Sequence, residues 1–457
     1  MRKRLFSSAV ILSILSLALF YHYGISKATT KDARGLNGED FARVTPSDPE
    51  KAARIERYGR ALSSWMDSNL NPSIVPSAVA GVVTPEGLVY FHGSNADVSS
   101  RYDVASLTKT FTAVLALRLA EEGVFSLDDP VRKHLPGVVI ERAELKSAPV
   151  TIRHLLAHTS GIPSSESDCS ISNAGGGSFS VPKQAYPAGY CYAYSNAGYV
   201  IMKHVIESAA GKSYSDLVRS RIFEPLGMKS STAAGSNGTG GIVTNISDLS
   251  KYVVMLINEG AYGSRRIISA DSFNAMMEKT VELPRTSIDY HYSLSWEVIT
   301  VNGKIDSYYK AGRWFGGASG LQVFPDRKIA LVYLCNPPHH LTSDFMNFRQ
   351  GLTGVLRTLV RNISGDQSLC TKWPAMSPPE LGRYQGVYRN TISGNSVRIF
   401  LRDGRLFSTI NGSASPLSVF TSNRFLVDSG KNLHNFVWKN SRVIGLAVRG
   451  GYYELSF

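Results

Sequence analysis

Acidic residues are in short supply in this chain: 36 Asp and Glu stand against 49 Lys and Arg, a formal net charge of +13 and a pI near 9.4. Such a balance would suit a nucleic acid, but the basic residues are scattered and no nucleic-acid-binding motif accompanies them, so that class is set aside. The parts of a metal centre are missing as well. His154 and His158 stand four apart and would share a helical face, yet Leu155 occupies the place where a zinc-protease helix carries its glutamate. No third ligand cluster follows, and neither a metal nor another cofactor is expected. Cysteine is sparse, with four in 457 residues. Cys169, Cys191, Cys335 and Cys370 allow three disulfide connectivities, and buried reduced thiols are the alternative. A bridge between Cys169 and Cys191 would brace the loop around Pro182. Hydrophobic residues, by contrast, make up 43% of the chain, enough for a large core and a smaller second domain.

Arg2, Lys3 and Arg4 precede an apolar run from Leu5 to about Tyr21. This is the order of an export signal, with a length between that of a cleavable hydrophobic region and that of a spanning helix. Ser26 and Ala28 offer the small residues of a cleavage site, but Lys27 and Tyr21-His22-Tyr23 are poor neighbours for one. An uncleaved membrane anchor with its cationic end in the cytoplasm is therefore favoured. The rest of the chain is expected to be extracytoplasmic, either periplasmic or at the cell surface, where disulfides persist. There the basic balance would suit a membrane surface or an anionic cell-wall polymer.

Composition divides the chain into residues 1–28 as signal peptide or signal anchor, 29–47 as polar linker, 48–361 as the main domain, 362–380 as a Pro-rich linker and 381–457 as a small β-rich domain. Within the main domain a helix is predicted from about Pro49 to Asn69. Ser77 to Val83 and Leu88 to Gly93 form a hairpin around Thr84-Pro85-Glu86-Gly87. Helices and long loops are expected from about Leu127 to Glu282, strands from Tyr292 to Asn336, and a closing helix from about Asp344 to Arg361. Beyond Pro378-Pro379, short alternating runs with a turn at Asp403-Gly404 predict an antiparallel sheet or barrel of about 75 residues.

The chemistry is carried by Ser106-Leu107-Thr108-Lys109, which leads into an apolar helical stretch. Residues three apart on a helix share a face, so a hydroxyl and an amine meet. Burial or a second cation can keep such a lysine neutral enough to take the seryl proton. The same spacing recurs at Ser180 to Lys183 and Ser307 to Lys310. Pro182 argues that the first of these is a loop. The second lies in a strand, where positions three apart face opposite ways. Tyr194-Ser195-Asn196 and Lys310-Ala311-Gly312 then follow in the order used by penicillin-recognising serine acyltransferases. Tyr388-Arg389-Asn390 has the same Tyr-x-Asn form but lies in the β-rich tail.

On these residues the chain resembles the serine hydrolases related to class C β-lactamases, D-alanyl-D-alanine carboxypeptidases and D-aminopeptidases. Further segments carry the likeness: Thr151-Ile152-Arg153-His154-Leu155-Leu156-Ala157-His158-Thr159-Ser160-Gly161, Phe223-Glu224-Pro225-Leu226-Gly227-Met228, and Gly240-Gly241-Ile242-Val243 leading to Ser247-Asp248-Leu249. The resemblance implies an α+β fold, an antiparallel sheet covered by helices with an inserted helical region, and a lipocalin-like β tail. It implies that Ser106 is the acylated nucleophile, that Lys109 and Tyr194 move its proton, and that Asn196 and Lys310 position substrate; Gly312, two positions after Lys310, lets the substrate backbone approach the strand closely. Backbone N–H groups of Ser106 and Arg313 would form the oxyanion hole, each donor contributing roughly 3–4 kcal/mol in other hydrolases. Arg313, with Trp314 and Phe315, departs from the small residues usual there and is expected to crowd or recharge the acyl pocket. Expected substrates are D-amino-acid peptides or related cell-wall amides. A β-lactam, a small ester and a catalytically silent wall-binding role are the alternatives.

Overall fold

The computed structural model describes residues 45–141, 148–163, 179–181, 183–282, 289–301, 303–314, 316–337, 343–365, 381–389 and 395–456, the last stretch without 411–412, 422–423, 428–432, 440–441 and 449–450. The Leu5 to Tyr21 run, most of the 29–47 linker, Cys169, Cys370, Phe315 and the Pro-rich linker lie outside the described residues. Among the described residues no helix is long and apolar enough to cross a membrane.

Helix α1, Pro49–Asn69, starts where the sequence puts a proline behind an aspartate. The Asp48 carboxylate accepts from Glu50 and Lys51 N–H, and Pro49 fills a first-turn position that needs no donor. Ile55, Leu62 and Met66 point inward from this helix. They meet Leu352, Leu356 and Val360 of the closing helix α7, Ser343–Ser364, over one face of the main sheet.

That sheet runs in the order β2-β1-β8-β7-β6-β5-β4-β3, all antiparallel. Its strands are β1 Ala78–Thr84, β2 Gly87–Ser94, β3 Val281–Glu282, β4 Asp289–Tyr292, β5 Glu297–Val301, β6 Lys304–Trp314, β7 Gly317–Phe324 and β8 Ile329–Cys335. Every residue of β1, β7 and β8 is buried. Such near-continuous apolar runs are what a strand covered on both faces requires. Ala78, Ala80 and Val82 join the α1/α7 core, while α5, Ile246–Ile257, covers the opposite face and brings the Ile246 side chain to Gly81. Cys335 ends β8 as a buried thiol, and burial pushes its pKa up to about 12.

Between β2 and β3 the chain makes helices and loops, as the sequence predicts. They include α2 Thr108–Glu121, α3 Ile152–Leu156, α4 Asn196–Ala210 and α6 Ala270–Met277. The β-rich tail closes into an eight-stranded antiparallel barrel, β9 Gly386–Arg389, β10 Ser396–Arg402, β11 Arg405–Ile410, β12 Ser413–Thr421, β13 Arg424–Val427, β14 Leu433–Lys439, β15 Arg442–Val448 and β16 Gly451–Ser456. Alternation fills it: Val397 and Ile399 of β10 and Leu406 of β11 are in its core. Ile444 of β15 packs against Tyr186 and Cys191, in the loop that leads to Tyr194.

Candidate active site

Helix α2 is apolar nearly all round and accordingly buried over almost its whole length. A turn of 3₁₀ helix, Ala105–Leu107, precedes it and leaves Ser106 partly exposed at its mouth. The chain enters this turn under constraint. Ala105 has φ +48°, uncommon for a residue with a Cβ, and its N–H donates to Asp103 Oδ1 at 2.7 Å. Burial raises the Asp103 carboxyl above the ordinary range, an effect that the N–H groups of Ala105 and Gly241 partly offset. Ser319 Oγ of β7 fixes the Val104 carbonyl at 2.7 Å.

Lys109 lies one turn below Ser106 and is fully buried. Its Nζ donates to Ser106 Oγ at 3.2 Å and to the Thr239 carbonyl at 2.9 Å. Tyr194, buried in the loop before α4, donates its hydroxyl to the same Oγ at 3.0 Å. The amine stands 5.1 Å from the Tyr194 ring centre and 5.5 Å from that of Tyr199. Amine and phenol therefore converge on one seryl oxygen, drawn from two segments 88 positions apart.

Lys310 of β6 closes the other side. It is almost fully buried, donates to the Tyr292 hydroxyl at 2.7 Å, and stands 5.8 Å from the Tyr194 ring centre. Burial holds the Tyr292 phenol far above its ordinary pKa, so it stays a neutral acceptor. Asn196 opens α4 two residues after Tyr194, with Ser195 as the cap accepting from Gly198 N–H.

Gly312 has a sharper role than the close substrate approach expected of it. A Cβ there would lie 2.1 Å from the Val104 carbonyl oxygen and 2.8 Å from Ser106 N. The bare backbone is what lets β6 press against the Ser106 turn, which sets Ser106 N beside the Gly312-Arg313 backbone. The expectation for the Arg313 side chain is corrected. The β6–β7 ladder is unbroken from Tyr308 to Trp314, so Arg313 shares the parity of Tyr309, not that of Lys310 and Gly312. Tyr309 feels Arg349 and Arg357 of α7. The Arg313 side chain thus leaves the strand on the face opposite Lys310 and Gly312, while the backbone N–H remains on the strand beside Ser106.

The competing motifs part from the site. Lys183 pairs with Glu141 at 2.7 Å. Ser307 is fully buried and accepts from Gln322 at 3.0 Å. Tyr388 sits in the barrel core and donates to the Tyr384 carbonyl at 2.6 Å. The two histidines diverge too: His154 caps α3, its Nδ1 accepting Thr151 N–H at 3.2 Å, and His158 is buried among tyrosine rings. Among the described residues no group of His, Cys, Asp or Glu has a metal-holding arrangement. Tyr292, Tyr199, Thr239 and Asp103 are the contributors that motif reading misses. Tyr292 alone left a signal, as an aromatic in the strand run that also holds Lys310.

The family description "Beta-lactamase" matches residues 72–353, more than half of the chain. The chain belongs to the beta-lactamase family. This beta-lactamase-family chain is 33% identical over 147 residues to a penicillin-binding protein of Bacillus subtilis, covering 28% of the chain and 30% of that relative. It is 30% identical over 191 residues to penicillin-binding protein 4 of Amycolatopsis lactamdurans, covering 39% and 46%. It thus spans less than half the length of these curated relatives. The octameric penicillin-binding protein homologue of Pyrococcus abyssi shares its fold over 87% of the chain and 99% of that structure, with a TM-score of 0.56 and 19% identity. SurE, solved with D-Leu, covers 88% and 100% with a TM-score of 0.61 and 18% identity. The expected α+β architecture is that of these neighbours.

Proposed function

We propose that the protein is an extracytoplasmic serine hydrolase that forms an acyl-enzyme on Ser106, acting on peptides ending in D-amino acids or related cell-wall amides. The observation that carries this reading is the convergence of Lys109 Nζ and Tyr194 Oη on Ser106 Oγ at 3.2 and 3.0 Å. In the reacting form one of these two groups is deprotonated and takes the seryl proton as Oγ attacks the substrate carbonyl. Ser106 N–H and Arg313 N–H hold the oxyanion, the C–N bond breaks, and the proton passes to the leaving amine. Water then repeats the sequence in reverse and frees Ser106. Lys310 supplies a cation for a substrate carboxylate, and Asn196 an amide for a substrate carbonyl. The basic-then-apolar N-terminus supports export and membrane attachment.

Intact-mass spectrometry of the full chain after exposure to a penicillin, a p-nitrophenyl ester or a D-alanyl-D-alanine peptide tests this. A Ser106 adduct with the penicillin and turnover of the peptide is the expected result, and Ser106→Ala should lose the adduct. Rapid penicillin turnover would replace the substrate assignment with a β-lactamase. Ester turnover alone would make it an esterase. No adduct and no product with any of the three would overturn the enzyme reading.

A further inference from the structure

We propose that His158 is the positioning residue for Tyr194, gripping the backbone on both sides of it. The inference rests on the reading of Tyr194 as half of the proton-transfer pair. The His158 carbonyl accepts the Ala193 N–H at 2.8 Å, and its Nδ1 accepts the Ser195 N–H at 3.1 Å. The two residues flanking Tyr194 are therefore both hydrogen-bonded to one residue, whose ring centre stands 4.3 Å from that of Tyr194. Only a backbone turned so that carbonyl and side chain reach the same segment allows this. His158 has φ +56°, in the left-handed region. Such a conformation is uncommon for a residue with a Cβ and persists where its surroundings over-determine it.

Those surroundings are in place. His158 N–H donates to the Leu155 carbonyl at 3.3 Å, Thr159 N–H to the His154 carbonyl at 2.9 Å, and Gly189 N–H to the Thr159 carbonyl at 2.8 Å. The rings of Tyr192, Tyr199 and Tyr292 stand 6.0, 5.0 and 5.4 Å from the imidazole. Tyr199 is pinned in turn by its hydroxyl on the Leu156 carbonyl at 2.7 Å.

A ring nitrogen that accepts a backbone N–H carries no proton, so His158 works as the neutral imidazole with its hydrogen on Nε2. The groups around it agree with that state. Four phenols face it, and Lys109 and Lys310 both stand over the Tyr194 ring that it touches. A third cation there would add repulsion and cancel the acceptor. Without the grip, the 3.0 Å contact between Tyr194 Oη and Ser106 Oγ depends on a loop held at fewer points. A displacement of about 1 Å at a reacting group costs on the order of a hundredfold in rate.

Four variants and one measurement on the wild-type chain test the inference. His158→Phe keeps a planar ring and removes the acceptor, and should slow single-turnover acylation by at least about a hundredfold. His158→Asn restores an acceptor oxygen and tolerates positive φ, and should stay within about tenfold of wild type, with KM little changed in both. In a Tyr194→Phe background His158→Phe should add almost nothing, because the two act as a unit. Equal losses in the Asn and Phe variants, or full multiplication of the two Phe effects, would overturn the grip while leaving the Tyr194 role intact. Normal acylation by Tyr194→Phe alone would instead overturn the premise. Should His158→Phe not fold, nitrogen NMR of the wild-type histidines decides. A neutral Nε2–H tautomer at His158 throughout the active pH range supports the inference, and an Nδ1–H or imidazolium form in active protein sinks it.

Discussion

Tyr194 and Tyr388 both open a Tyr-x-Asn triplet and both are buried, yet they do different things. Tyr194 donates to the Ser106 hydroxyl and lies beside two lysines. Tyr388 donates to the Tyr384 carbonyl inside an eight-stranded barrel with apolar neighbours, and burial drives its phenol far above the ordinary pKa. The Ser106 site and the barrel show that a motif is read by what converges on it. At Ser106, an amine and a phenol from two segments meet at one oxygen, and the Thr239 carbonyl holds the amine. In the barrel, the same letters satisfy one buried donor and fill space. The Ser-x-x-Lys spacing teaches the same lesson: at Ser106 the backbone brings position three round to the hydroxyl, whereas the Ser307 hydroxyl accepts from Gln322.

This contrast can be broken most forcefully at the lysine. Lys109→Ala should slow acylation of Ser106 by at least about a hundredfold, the low end of general-base contributions, measured by stopped-flow with a chromogenic ester. A near-normal rate would remove Lys109 from the mechanism. The tyrosine pair sharpens the comparison. Tyr194→Phe should cost acylation on a similar scale with little change in melting temperature, because the lost group is a reacting one. Tyr388→Phe should leave the rate untouched and lower stability by about 1 kcal/mol, the worth of one buried hydrogen bond. Denaturant titration and acylation kinetics on both variants would show whether the two losses separate in this way.

Glycines draw the same line more finely. Gly312→Ala forces a Cβ to 2.1 Å from a backbone oxygen at the nucleophile turn, so it should lower stability by about 1–3 kcal/mol and slow acylation as Ser106 N shifts. Gly404, at the β10–β11 turn, has φ +73° and open space around it. Gly404→Ala should therefore cost only roughly 1 kcal/mol, from backbone strain alone, with no effect on rate.

The smallest effect concerns pH. Burial raises the Asp103 carboxyl above its unfolded value. Its contribution to stability is then fully present below the unfolded pKa, near about 4, and is lost as pH rises through the folded value. Asp103→Asn does not titrate, so its stability relative to wild type should improve between about pH 4 and pH 7. Melting temperatures at the two ends of that range check the sign, and a constant difference would contradict it.

Much of the fold was legible in the letters. The helix from Pro49 to Asn69 announces itself by Asp48-Pro49 at one end, and the first hairpin by the turn between two apolar runs. The barrel shows in period-two alternation, because a closed sheet needs one inward and one outward face on every strand. Ser106, Lys109, Tyr194 and Lys310 were recoverable because helical spacing and motif order survive in sequence. Tyr199 and the placement of His158 were not, and Tyr292 showed only as an aromatic in the strand run, since nothing local requires a helix tyrosine to face a lysine or a histidine after α3 to reach the Tyr194 segment.

What the sequence by itself determined is the list of candidate reacting groups and the elements that bear them, because capping, periodicity and turn chemistry act over a few residues. That the Ser106 hydroxyl meets an amine and a phenol, which face takes Arg313, and why β6 must carry glycine at 312 were decided only by the tertiary structure. Those outcomes depend on strand parity and on contacts between segments 88 or more residues apart. Such contacts form only when burial of the sheet and of α2 brings their backbones together.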